Sequence, residues 1–192
     1  WMLDRVREET GDEVILNMDV TNGRRVGYHW FTEYGNIFLE NRYTDWGNYY
    51  PYKTLRNIWQ LSRYTAPERF QVEFLNPWRN QDKYYEGDIF TPSSYSFDYV
   101  AATSFAAQPL AWMEASNLPE DAYYVGDLLK EWMKLAPYIH KGTILPIGEE
   151  PSGRSWTGFQ SITDSEHGYI ILYRELTQDA SSLVKTWLPA GA

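Results

Sequence analysis

The sequence predicts an α/β chain: four buried strands alternate with helices through residue 141, and a short antiparallel β segment follows over 142–192. Three observations carry that prediction. Apolar runs of strand length recur at intervals of about 25–40 residues, each followed by a polar exit and then by helical spacing. That alternation is the rhythm of parallel β/α units. The punctuation changes at Gly142, after which Gly, Pro and Ser separate short β-like runs. No tandem repeat or low-complexity tract interrupts either part.

Met2, Leu3 and Val6 lie at helical spacing, and Gly11 ends that first helix. Val14–Val20 is an apolar run that turns polar at its end, a buried strand followed by a loop. Thr21-Asn22-Gly23 supplies turn chemistry, and Tyr28–Tyr34 has room for a short helix. Asn36–Glu40 reads as the second buried strand, with residues 41–50 as its exit. Pro51 opens a helix on which Leu55, Ile58, Trp59 and Ser62 share one face. Phe70–Leu75 is the third strand. The loop Asn76–Phe97 that follows has the length of a functional or a disordered loop. Asp98–Ala107 is a helix of small residues, and Pro109–Met113 is the fourth strand, leaving through Glu114-Ala115-Ser116-Asn117. Glu120–Ile139 forms a helix with Leu128, Leu129, Trp132 and Leu135 turned inward. Beyond Gly142, Trp156–Ile162, Tyr169–Glu175 and Ser182–Leu188 read as short strands, with His167-Gly168 turning the hairpin between the first two.

Composition excludes several function classes. The net charge is −9, and an acidic surface repels phosphate backbones, so no nucleic-acid partner is expected. No run approaches the ~20 apolar residues of a membrane-spanning helix, so no membrane role is expected. The chain has no cysteine, which rules out a disulfide scaffold and thiolate metal sites and leaves the compartment open. It opens on Trp1-Met2-Leu3-Asp4, inside a helix and without a basic and then apolar leader. It is therefore expected to be a piece of a longer protein without a secretion signal of its own, the cytoplasm being favoured. His29, His140 and His167 are scattered, with no pair at zinc-binding helical spacing. No glycine-rich dinucleotide or phosphate loop and no nucleophile elbow is present. Neither a metal nor a cofactor is expected, and hydrolysis, which needs only water and carboxyls, fits that expectation.

The chain is rich in aromatics, with 9 Trp, 16 Tyr and 8 Phe. Their faces stack on the C–H patches of sugar rings while N–H and O–H groups reach hydroxyls. The alternative is a large aromatic core.

In β/α folds the site is built where strands end. The four exits carry Asp19 with Asn22, Arg24 and Arg25; Glu40 with Arg42 and Asp45; Asn76 with Trp78 and Arg79; and Glu114 with Ser116 and Asn117. Carboxylates on neighbouring strand ends suit glycoside cleavage. One acts as nucleophile or base and the other, held protonated, gives a proton to the leaving oxygen. In a retaining enzyme they stand about 5–5.5 Å apart. Arginines nearby hold hydroxyls and tune a carboxylate. Each residue also has a structural reading. Asp45 could cap a turn, Glu40 and Arg42 could pair with each other, and Asp19 could bind loop amides. Trp46 and Trp78 are sugar platforms or packing residues, Trp112 reads as core, and Glu114 and Asn117 face a capping role for Asn117 before Pro119.

The run Phe38-Leu39-Glu40-Asn41-Arg42-Tyr43-Thr44-Asp45-Trp46 resembles the sixth-strand exit of proteins related to glycoside hydrolase families 36 and 27, the alpha-galactosidase clan. Thr54-Leu55-Arg56-Asn57-Ile58-Trp59-Gln60-Leu61-Ser62 and Phe105-Ala106-Ala107-Gln108-Pro109-Leu110-Ala111-Trp112-Met113-Glu114 carry the same resemblance, and Gly153-Arg154-Ser155-Trp156-Thr157-Gly158-Phe159 looks like the entry to the C-terminal β-domain. The resemblance covers nearly the whole chain. It implies the C-terminal half of a (β/α)8 TIM-type barrel, nominal strands five to eight, over 1–141, and the start of a β-sandwich domain over 142–192. It implies Asp45 as general acid/base with Arg42 beside it on the substrate, Asp19 to Arg25 as the fifth-strand exit that reads the sugar, and Glu114 with Asn117 at the eighth. The nucleophile would stand on the fourth strand, upstream of this chain. The parent would be a retaining hydrolase of alpha-linked sugars, galactose by default, and the isolated chain would be inactive. The spacing from Arg42 to Asp45 is one residue shorter than in family 27. Open strand edges predict a homo-oligomer or pairing with the missing N-terminal half. Other expectations are a non-catalytic carbohydrate-binding protein that keeps the aromatic cleft, or a structural module with the aromatics buried.

Overall fold

The computed structural model describes residues 1–11, 14–19, 35–39, 49–111, 115, 118–164 and 167–187. Helix α1 (Met2–Thr10) precedes β1 (Leu16–Asp19) and β2 (Gly35–Phe38). Then come α2 (Pro51–Leu61), β3 (Phe70–Phe74), α3 (Phe97–Ala102), β4 (Gln108–Ala111) and α4 (Val125–Ile139). β5 (Thr143–Gly148), β6 (Trp156–Ile162) and β7 (Gly168–Arg174) follow. β1 to β4 form one parallel sheet in chain order, and β5 to β7 form a separate antiparallel sheet. The chain is thus a mixed α/β structure. The expected helix at Tyr28–Tyr34 lies outside the described residues. Among the described residues no helix is long and apolar enough to cross a membrane.

Alternation along β3 sorts its side chains between two environments. Phe70, Val72 and Phe74 point one way, Gln71 and Glu73 the other. Phe70 and Val72 pack in one cluster with α2, whose Leu55, Ile58 and Trp59 are buried on the face that helical spacing predicts, while Phe74 joins a second cluster with Phe97 and Val100. Burying each of these is worth roughly 2 kcal/mol against exposure. Pro51 stands in the first turn, where its missing N–H costs nothing. The same cluster takes in Ile37 and Leu39 from the β2 side and Ile144, Phe159 and Tyr173 from the antiparallel sheet. Polar contacts reinforce that packing. The Trp59 indole donates to the Ile147 carbonyl at 3.1 Å, the Tyr173 hydroxyl to Ala102 at 2.7 Å, and Ser161 to Ile139 at 2.6 Å.

Four local expectations change. The helix expected over Asp98–Ala107 stops at Ala102, because Thr103 and Ser104 turn their hydroxyls back onto the carbonyls of Val100 and Ala101, both at 2.7 Å. The helix expected over Glu120–Ile139 begins as a 3-10 turn at Glu120–Tyr123 and becomes α-helical at Val125. Its inward stripe runs through Val125, Leu128, Leu129, Trp132, Ala136 and Ile139, whereas Leu135 is 47% exposed, one step around the helix. β5, which carries Pro146, is a strand that the sequence did not predict. Proline is tolerated there because β5 is an edge strand. The described part of the expected strand Ser182–Leu188 joins no ladder. Instead the main-chain N–H of Trp187 donates to Gln160 Oε1 and its indole to the Pro146 carbonyl, each at 2.8 Å.

Candidate functional site

A parallel sheet releases every strand at the same edge. Asp19 closes β1, Leu39 follows β2, Leu75 and Asn76 follow β3, and Ala111 closes β4. The face of the sheet turned away from α2 is polar at its base. Asn17 of β1 donates its amide to Gln71 of β3 at 2.6 Å, and Asn36 of β2 reaches Gln108 of β4 at 3.4 Å. The contacts link alternate strands, β1 to β3 and β2 to β4. Two residues further along each strand, on the same face, stand Asp19 and Glu73. Asp19 is half-buried, whereas Glu73 has no exposed surface. This pair of strands therefore carries two carboxylates toward the exit edge, one layer above the amides.

Glu73 escaped the sequence reading because Phe70–Leu75 reads as an apolar strand with polar interruptions. The signal was the period-two placement of Gln71 and Glu73, which puts both on one face.

The loop leaving β3 is ordered by short-range polar contacts. Buried Asn76 accepts the N–H of Trp78 on its side-chain oxygen at 3.0 Å, a tight turn that leaves the Trp78 ring 53% exposed. Further along, Asp88 accepts the Tyr50 hydroxyl at 3.0 Å and the Tyr84 hydroxyl donates to the Tyr49 carbonyl at 2.9 Å. The rings of Tyr50 and Tyr84 meet edge to face at 5.4 Å, and the Lys53 ammonium lies 4.3 Å from the Tyr50 centroid. Burial, with Asp88 next, pushes the Tyr50 hydroxyl up to about 12, so it remains a donor at any physiological pH. This aromatic wall joins the start of α2 to the loop leaving β3.

Of the residues singled out from sequence, Asp19 and Trp78 belong to the described exits of β1 and β3. Arg24, Glu40, Arg42, Asp45, Trp46, Glu114 and Asn117 lie outside the described residues, as do Asn22, Arg25, Trp112 and Ser116. Among the described residues no group of three or more His, Asp or Glu side chains could hold a metal ion.

No protein-family model matches the chain, and no curated protein matches it in sequence. In structure it is similar to the galactosidase domain of alpha-galactosidase-sucrose kinase, AgaSK, with a TM-score of 0.67 at 13% identity over 94% of this chain. The fold is thus alpha-galactosidase-like. The chain spans 23% of the length of that neighbour.

Proposed function

We propose that this chain is part of a retaining glycoside hydrolase acting on alpha-linked sugars, with galactosides as the first class to test. In this reading residues 1–141 are the second half of a (β/α)8 barrel and 142–192 begin its β-domain. Asp45 is the general acid/base, and Arg42, Glu40, Asp19, Arg24, Trp46, Trp78, Glu114 and Asn117 contact the sugar. The nucleophile stands upstream.

The observation that supports it best is the layering of the parallel sheet. Inward side chains of a (β/α)8 barrel meet in layers drawn from alternate strands. The Asn17–Gln71 and Asn36–Gln108 contacts follow that rule. The fold likeness to a galactosidase domain points the same way. Buried Glu73 joins the reading as a residue that positions the acids at the rim.

In the full-length protein, Asp45→Asn should slow hydrolysis of alpha-galactosides with poor leaving groups by about 10²–10⁴-fold, the usual worth of a positioned proton donor. Aryl galactosides with activated leaving groups should lose far less. Equal losses on both would remove the assignment, and sugar binding without any turnover by the full-length protein would make it a binding protein.

A further inference from the structure

A second concavity lies apart from the strand exits. Trp59 and Arg63 stand at the end of α2 that leads into β3, and across from them run the main chain of β5 and the tail through Lys185 and Trp187. Together they enclose about 230 Å³. That is below the ~300–1,000 Å³ of pockets for drug-sized ligands, so it takes one ring rather than a chain of sugars.

Two indoles shape the walls. Trp59 is 6% exposed and donates its N–H to Ile147; Trp187 is 57% exposed and donates its N–H to Pro146. Both indole donors are taken up by β5, so Trp187 lines the pocket with its N–H already satisfied and is held in place by its bonds to Pro146 and Gln160.

Two cations supply the polarity. The Arg63 guanidinium lies 4.4 Å from the Trp59 ring centroid, and neither Arg63 nor Lys185 forms an ion pair among the described residues. On a chain with 26 acidic against 17 basic residues, two unmatched cations at one concavity leave room for an anion from outside.

We infer that this pocket binds a small carboxylate borne on a single ring, an acidic sugar or an aromatic acid. The ring stacks on Trp187 and the carboxylate meets Arg63 and Lys185. The site is independent of the proposed catalytic rim. Its test is calorimetric titration of the 192-residue chain at low salt with galacturonate, benzoate, neutral galactose and inorganic phosphate. The indole N–H resonance of Trp187, assigned with Trp187→Phe, is followed in parallel. At least one ring-borne acid should saturate, move that resonance, and bind at least tenfold tighter than galactose or phosphate. The tighter of the two acids identifies the source. Lys185→Glu, at an exposed position with no packing to lose, should weaken it at least tenfold, and Arg63→Gln should do likewise. Absence of saturation by both acids overturns the inference. So does equal binding of galactose or phosphate, an unmoved Trp187 signal, or an unchanged affinity in Lys185→Glu.

Discussion

Glu175 shows how much one side chain can organise once it is out of water. It follows β7 and is 4% exposed, and its Oε2 accepts the N–H groups of Ser152, Gly153 and Ser155 at 2.9, 2.7 and 2.8 Å. Burial pushes its pKa up, while those three donors and Arg56 pull the other way without winning. A folded-state pKa above the unfolded value means that the folded chain holds the proton longer. The contribution of Glu175 to stability is therefore fully present below about pH 4.5 and is lost as pH rises through the raised value. Glu175→Gln keeps an oxygen for the three donors and has no proton to lose, so it should lose less stability than the wild type as pH rises from about 4.5 to about 7. Glu175→Ala leaves the donors without an acceptor. At about 1–3 kcal/mol per unsatisfied buried group, the loss should reach about 3 kcal/mol or more. Urea melts of the three proteins at pH 4.5 and 7 check both statements, and a wild type whose stability rises between those values contradicts the first. None of this was legible in the sequence. Glu175 reads there as the end of a strand, and its donors lie some twenty residues earlier in a turn that only the folded β6–β7 hairpin brings near. Gly153 within that turn has φ of 89°, and a Cβ there would meet the Phe90 ring at 2.5 Å, so the turn is fixed by its neighbours rather than by local preference.

Among the elements, legibility followed periodicity. α2 was readable because Leu55, Ile58 and Trp59 repeat at helical spacing and all three are buried. The four parallel strands were readable as apolar runs with polar exits. Ends and edges were not. α3 is shorter than its small-residue composition suggests because hydroxyls at Thr103 and Ser104 compete for its last carbonyls, and β5 hides behind Pro146. The start of α3 follows a local rule. The Ser96 hydroxyl accepts the N–H of Tyr99 at 3.3 Å, and Val100 and Ala101 behind it are buried. Ser96→Ala should therefore lower stability by about 1 kcal/mol and Ser96→Gly by only a few tenths. Denaturant titration separates these two outcomes, and equal losses would mean that Ser96 does not act as a cap.

At the scale of the whole molecule, the two flanks of the parallel sheet are unlike. On the β4 side α4 and the β3 exit loop close over the second core cluster through Val125, Trp132 and Tyr95. On the β1 side little is covered: none of the α1 residues is buried, Trp1 and Met2 are 90% and 65% exposed, and Val14 and Ile15 are 45% and 72% exposed just before β1. β1 pairs with β2 alone among the described strands, and the residues just before it form an exposed apolar strip. An exposed apolar strip of this kind favours association. In the proposed barrel the missing strands would cover it. The expectation of a homo-oligomer, which we carry here as a proposal, places a second copy across the β1 flank when the chain stands alone. Sedimentation should then give a mass above the 22.6 kDa of one chain, rising with concentration. Ile15→Lys places a charge on the exposed strip before β1, touches neither core cluster, and should return the chain to a monomer whose melting temperature no longer depends on protein concentration. The same chain should turn over no aryl alpha-galactoside, since the proposed nucleophile lies upstream. A wild type that stays monomeric at high concentration and melts sharply would show that the β1 flank is complete as it stands, and the half-barrel reading would lose its physical basis.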